Sequence, residues 1–491
     1  MKFQISKFII KGPGDDTTGT YKKKLDSLLQ AANNLEGELS RRSLSFRRRQ
    51  EINNISVVKI DSLLPANTAF IEFLKWDYRQ IKSDSVIPKY LALIINKGRN
   101  TEIVQLGDAS DIDPLVYHYL EHMRGVASSG RQPNNSDLAA YKPIGQEIYE
   151  KIWKPLENNL EKEQTVFVGL DGSLNLVSLA GLIDEKGTYL AEKYTLHHLS
   201  SARDLIRLQD IPNPSAGLFA LGDPDYDATP LSRKFPDELA KDSNGINNVS
   251  AFATRNVRSG CGDLRDLQVQ PLPGTRREIN RIMAEWRAAS DEPTSVFLGS
   301  QASEDNFKAQ APGKRVVHLA THGYFLEGRC QPSAPSVRLD EEEAWIGENP
   351  LLQSGLLLAG ANLHGAGADS LDIDDGVLSA YEVSAMNLEG TQLIVLSACE
   401  TGLGEVKSGE GVYGLRRAFQ MAGARTVISA LWQVDDQTTA DIMSRLYIKS
   451  DKSIPERIRE LQLQQIKKLR AGGFSDHPYS WAAFIAQGDW R

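Results

Sequence analysis

The chain has 491 residues, 41% of them hydrophobic and 24% charged, with a net charge of −8. That is ordinary globular composition, enough for two to four domains at roughly 100–200 residues each, and the negative balance argues against a direct nucleic-acid binder. No apolar run approaches the roughly 18 residues of a membrane helix, and "MKFQISKFIIKGPGDD" has no long apolar segment followed by a small-residue cleavage site, so neither a membrane span nor a signal peptide is expected.

In chain order, residues 20–57 carry Leu25, Leu28, Leu29 and Leu35 at helical spacing among many charges, which predicts one or two helices. The basic stretch "RRSLSFRRRQ" has no aromatic beyond Phe46 and reads as a solvated helix face rather than a nucleic-acid site. "TAFIEFLKW" and "YLALIINKG" read as strands, "VYHYLEHMRGVA" and "AAYKPIGQEIYEKIWKPLENNL" as helices, and "TVFVGLDGSLNLVSLAGL" as a buried strand and turn. This alternation predicts βαβ units and a largely parallel sheet. A second unit starts near residue 215 with the strand "SAGLFALGDPDYD", followed by the polar linker "KDSNGINNVSAFATRNVRSGCGD". A helix ("GTRREINRIMAEWRAA"), a strand ("SVFLG"), a helix ("SEDNFKAQA") and the strand "RVVHLATHG" come next. Residues 324–376 read as one long loop. After "LIVLSAC" come a helix ("GVYGLRRAFQMAG"), a strand ("RTVISALWQV") and helices to the end.

The three cysteines, Cys261, Cys330 and Cys399, are odd in number and widely spaced, with no CxxC. A reducing cytoplasm is expected rather than a disulfide framework or a thiolate metal site. Cys399 stands where the apolar run "LIVLSA" stops, and His322 stands where "RVVHLAT" stops. Ligand and catalytic sites gather at the carboxyl ends of parallel strands. If those two strands are neighbours, the imidazole takes the thiol proton and the thiolate attacks a carbonyl. The amides of Gly323 and Cys399 then stabilise the oxyanion. A lone cysteine or histidine at a strand end is more often structural; the pairing of the two brings the catalytic reading level with the structural one.

Three rival motifs are weaker. His318 and His322 are four apart as in zinc peptidases, but Leu319 stands where that motif has Glu, and the segment reads as strand. "GEGVYG", residues 409–414, fits GxGxxG but sits well after the strand with no ribose-binding acid to follow, and reads as helix capping and close packing. "APGKRVV" has Arg315 where a P-loop needs Ser or Thr, and there is no GxSxG.

"HLATHGYF", "LSACETGLGEVKSGEGVYGLRRAFQMAGARTVISALWQVDDQTTA" and "HPYSWAAFIAQGDWR" closely resemble the CHAT domain family, caspase-like cysteine peptidases of the separase group, mostly bacterial and often attached to TPR repeats. The resemblance is specific over residues 315–491 and reaches back more loosely to about residue 66 through "AFIEF", "VGLDGSLNLVSLAGL" and "LPGTRREI". It implies a caspase-like three-layer α/β/α fold with a mostly parallel central sheet. It divides the chain into a helical segment (1–65), an inactive caspase-like region (66–210) and an active one (211–491). It makes His322 the general base and Cys399 the nucleophile. The caspase pentapeptide QACRG is replaced by "SACETG", so aspartate specificity does not carry over.

The implied activity is that of a cytoplasmic cysteine endopeptidase acting on a protein substrate. It needs no metal or organic cofactor, and it is regulated by a protein partner of TPR type or borne by a complex. A catalytically silent scaffold and a small-molecule hydrolase using the same dyad remain as alternatives. Asp435 and Asp436 lie near where related enzymes build their first specificity pocket and, with Glu400, are candidate substrate-binding acids favouring Arg or Lys before the cut. Capping of a helix that starts at Gln437 is the competing reading for the two aspartates. Asp372, Asp374 and Asp375 form an acidic loop, read as helix caps in preference to a calcium site. The long loop, with possible cut sites at Arg329 and Arg338, is expected to be a lid or activation segment.

Overall fold

The structure is a computed structural model that describes residues 5, 21, 23–31, 34, 56–79, 85–160, 165–209, 215–229, 256–257, 268–326, 350–363, 374–398, 405–407, 411–432, 434 and 436–491. Residues 23–31 are helical, and Leu25 is buried against Ile5 and Leu352, with Leu28 and Leu29 packed beside it. Leu35 and the basic stretch 41–50 lie outside the described residues.

A short helix α1 (Val57–Leu63) is capped by Ser56, whose side chain accepts from the Lys59 amide. The first block then contributes β1 (Thr68–Arg79), β2 (Val86–Asn96), β3 (Glu102–Asp108), α2 (Ala109–Ser128), α3 (Asn135–Ile152), β4 (Thr165–Gly169) and β5 (Thr195–Leu199). The second contributes β6 (Leu218–Pro224), β7 (Asn256–Val257), α4 (Pro273–Ala289), β8 (Thr294–Gly299), α5 (Glu304–Gln310), β9 (Val316–Ala320), β10 (His322–Phe325), β11 (Ser354–Leu357), β12 (Val377–Ser379) and β13 (Leu393–Leu396). It ends with β14 (Glu405–Lys407), β15 (Gly411–Tyr413), α6 (Leu415–Met421), β16 (Thr426–Ala430), α7 (Asp436–Arg445), α8 (Ile454–Ala471) and β17 (Phe484–Gly488).

One sheet holds strands of both blocks in the order β3-β2-β1-β4-β5-β17-β16-β13-β9-β6-β8. Most neighbours run parallel, as the strand–helix alternation predicts; β3–β2, β2–β1 and β17–β16 are antiparallel. Because β17 is parallel to β5 and antiparallel to β16, the two parallel blocks point in opposite directions. Helices cover both faces. On one side α2, α3, α4, α7 and α8 pack against Val166, Ala220, Val316, Val395 and Ile428. On the other, Phe307 of α5 and Leu415, Ala418 and Phe419 of α6 pack against Phe219, Leu319, Leu396 and Val427.

The structure differs from the sequence reading at four places. β1 and β2 form an antiparallel pair, not a βαβ unit, because residues 80–85 are too few for a crossover, which takes roughly a dozen residues. The segment 324–376 is not one loop: β10 and β11 pair within it, and β12 continues their small sheet, ordered β12-β11-β10-β7. Arg329 and Arg338 lie outside the described residues. The helix read from Gly411 begins at Leu415, since residues 411–413 pair with 405–407 as a hairpin and Gly414 is the N-cap. The chain does not end in helix. "AAFIAQG" is rich in helix-favouring alanine, yet it forms β17, whose main chain pairs with both β5 and β16 and fills the gap between the blocks.

Candidate active site

β9 is buried along its whole length between β6 and β13, with Leu319 opposite both Leu221 and Leu396. Its apolar, β-branched run suits a central strand covered on both faces. The chain leaves the large sheet at Thr321, and His322 opens β10 in the small sheet, paired with Leu357. The Thr321 hydroxyl donates to the Leu357 carbonyl and lies 3.0 Å from the Tyr226 hydroxyl. Tyr226 comes from the loop after β6, and its ring centroid stands 5.4 Å from that of His322. His322 is only 2% exposed.

The His322 Nε2 lies 2.8 Å from the main-chain carbonyl oxygen of Gln270. A carbonyl can only accept, so Nε2 carries the proton and the basic lone pair of the neutral ring sits on Nδ1. Gln270 is itself held in place. Asn362 accepts from the Val269 amide at 2.7 Å and donates to the Val269 carbonyl at 3.1 Å and to Asp227 at 2.9 Å. The Asn362 amide donates to the Tyr226 carbonyl at 2.9 Å. One asparagine therefore ties together the two segments that flank the imidazole.

β13 lies parallel and adjacent to β9, the arrangement on which the dyad reading depended. The Ser397 amide donates to the Leu319 carbonyl at 2.9 Å, carrying the pairing past the end of the strand, and Ser397 and Ala398 are buried. Cys399 follows Ala398 in the chain. Cys399, Glu400 and Asp435 lie outside the described residues, as does the side chain of Asp436. Asp436 is the first residue of α7, one position earlier than the start read at Gln437. Gly323 is the second residue of β10, paired with Leu356 and Asn256, and is buried.

Residues 142–489 match the CHAT domain family. The chain belongs to that family. No curated protein matches it. Among solved structures it is similar to the separase of a Saccharomyces cerevisiae separase–securin complex, with 9% identity over 87% of this chain and a TM-score of 0.43. The chain spans 30% of that separase chain. A complex of the pro- and mature domains of Porphyromonas gingivalis RgpB matches 78% of this chain and 76% of its own, with 9% identity and a TM-score of 0.35. Among the described residues, no helix is long and apolar enough to cross a membrane.

Other candidates take structural places in this CHAT chain. His318 is fully buried, with Nδ1 2.8 Å from the Tyr447 hydroxyl and Nε2 2.9 Å from Glu278. Both its nitrogens are engaged, by Glu278 of α4 and by Tyr447 just after α7. In the acidic loop, Asp374 pairs with Lys308 at 2.9 Å, and Lys308 also reaches Glu304 at 2.6 Å and Glu382 at 3.1 Å. An ammonium thus occupies the centre of the carboxylates. Burial opposes its charge, but the three acids outweigh this and raise its pKa. Asp375 accepts from the Val377 amide, and the cap of the turn Ala380–Val383 is Ser379, so the capping read for these acids falls to a serine instead. Asp372 is outside the described residues.

Tyr226, Gln270 and Asn362 were not read from the sequence. Tyr226 had a signal, its place in "GDPDYD" directly after a buried strand. A main-chain carbonyl such as that of Gln270 has none, because every residue carries one.

Proposed function

We propose that this member of a caspase-like peptidase family is a cysteine endopeptidase with His322 as base and Cys399 as nucleophile. The observation that carries the reading is the parallel adjacency of β9 and β13, whose carboxyl ends run into His322 and toward Cys399. The Gln270 carbonyl, by holding the proton on Nε2, leaves Nδ1 to take the thiol proton. The thiolate then attacks the peptide carbonyl, and the amides of Gly323 and Cys399 stabilise the tetrahedral oxyanion. The imidazolium returns its proton to the leaving amine, and water hydrolyses the acyl-enzyme with the same base.

The proposed substrate is a protein cut after Arg or Lys, with Asp435, Asp436 and Glu400 supplying negative charge to the pocket. In this reading residues 66–210 are an inactive caspase-like region, 211–491 the active one, and a protein partner regulates turnover in a cytoplasmic setting.

The test is a set of fluorogenic peptides with Arg, Lys, Asp or Leu before the cut, together with a thiol-directed probe. Cleavage after Arg or Lys that disappears in Cys399→Ala, and labelling of Cys399 that slows at least tenfold in His322→Ala, is the expected result. Labelling at the same rate with and without the imidazole would sink the dyad.

A further inference from the structure

A cavity of about 540 Å³ opens at the edge of the sheet opposite His322. Val316, Leu393 and Thr426, the first residues of β9, β13 and β16, line its floor. The five-residue β9, at about 3.3 Å per residue, separates that floor from His322. The volume falls in the range of about 300–1,000 Å³ typical of small-molecule sites.

Its charge is unusual for this chain. Arg315, Arg425, Lys449, Lys452, Arg457 and Arg491 all line it, against the single lining carboxylate Asp489, in a protein of net charge −8. Four of these cations are paired with acids: Arg315 is held by Glu292 at 2.9 Å and Arg425 by Asp489. Arg491 also pairs with Asp489, at 3.0 Å, and Lys452 pairs with Glu460 at 2.9 Å. Counting those partners, six cations face three carboxylates. Among the described residues, Lys449 and Arg457 make no ion pair. The Arg457 guanidinium instead donates to the main-chain carbonyls of Ile448, at 2.7 Å, and Arg445, at 3.3 Å. Its position is therefore set by the backbone, with Glu460 acting on its charge only at longer range.

We propose that this cavity binds a small organic or inorganic polyphosphate, with Lys449, Lys452 and Arg457 contacting the phosphates. Concentrated positive charge in a concave, partly apolar site attracts clustered anionic oxygens more strongly than a single anion. Its size fits a small molecule rather than a nucleic-acid strand. The site stands whether or not the chain cuts peptides, since it shares no residue with the His322 region.

The experiment is isothermal titration of the full chain with tripolyphosphate, ATP and orthophosphate at fixed salt. Saturable 1:1 binding of tripolyphosphate, far tighter than orthophosphate and weakened by added salt, is expected. Equal affinity for ATP assigns the site to the phosphate chain alone, and a tighter ATP complex assigns it to a nucleotide. The exposed pair Lys449→Glu/Lys452→Glu is expected to weaken binding about tenfold or more with an unchanged Tm. The exposed α3 pair Lys142→Glu/Lys151→Glu leaves it as it was. Absence of saturation, orthophosphate binding as tightly as tripolyphosphate, or equal losses in both double variants would overturn the proposal.

Discussion

The Nε2–H of His322 points at the main-chain carbonyl of Gln270, 2.8 Å away, and that one bond selects the tautomer of a nearly buried imidazole. The carbonyl is positioned by Asn362 through the neighbouring Val269. Asn362→Ala removes the acceptor of the buried Val269 amide, at a cost of about 1–2 kcal/mol, and frees Gln270 to shift. Turnover, and the rate at which the probe alkylates Cys399, are expected to fall about tenfold, with an altered pH profile. A lower Tm with the pH profile intact would reduce Asn362 to a purely structural residue.

Lys308 is the sole cation that the described structure places among Glu304, Glu382 and Asp374. Lys308→Met keeps much of the volume and removes the charge, leaving carboxylates buried together. Loss of one partner from a buried ionic group costs about 3–5 kcal/mol. Urea unfolding at pH 7 is expected to show a loss of that order. The loss shrinks toward pH 5, because burial raises the pKa of Glu304 and of Glu382 and the uncompensated acids take up protons.

Glu72 on β1 is pushed up to about 7 by burial, reinforced by Asp204 and Asp171 and opposed by its hydrogen bond from the Ala202 amide. Its folded-state pKa lies above its unfolded value, so the contribution is whole below pH 4.5 and is lost as pH rises through about 7. Glu72→Gln keeps an acceptor for Ala202 and never ionises. It is expected to stabilise the protein by up to about 3 kcal/mol at pH 8 and to change little at pH 4. Parallel stability curves for variant and wild type from pH 4 to 8 would disprove this.

His477 has the opposite sign. Burial, then the neighbouring His122, depresses its pKa to about 3. Its Nδ1 accepts from the Tyr479 amide at 3.0 Å, and Nε2 lies 3.0 Å from Nε2 of His122. Stability tied to the neutral ring is present above pH 6.5 and is lost as pH falls toward 3. Buried His197 and His198, depressed to about 4 and about 3, act the same way. His477→Asn, which retains an acceptor for Tyr479, is expected to recover about 2 kcal/mol of the stability lost between pH 7 and pH 4.5, read by denaturant unfolding at both values.

Much of the site's frame was legible in the sequence. "RVVHLATHG" and "LIVLSACETG" are short apolar runs followed by polar, glycine-bearing residues, and a buried parallel strand has that local signature; that His322 and Gly323 begin a second strand, β10, was not legible. The helices read over residues 116–127, 274–289 and 303–311 fall within or on α2, α4 and α5, though the first turns of α2, residues 109–115, were not read. The partners of His322 were not. Gln270 acts through its main chain, and Asn362 lies 93 residues from the Val269 amide it holds. Nor was the role of Lys308, whose three acids come from one turn upstream on α5 and from two positions more than sixty residues away.

By itself the sequence determined that two buried apolar strands run toward His322 and Cys399, because burial is a local property of residues. Only the tertiary structure decided that β9 and β13 are neighbours, and that β17 joins two parallel blocks of opposite direction. Strand pairing is a hydrogen bond between main chains that are alike at every residue, so its choice of partner depends on how the whole sheet can close its core and satisfy its backbone, not on any one segment.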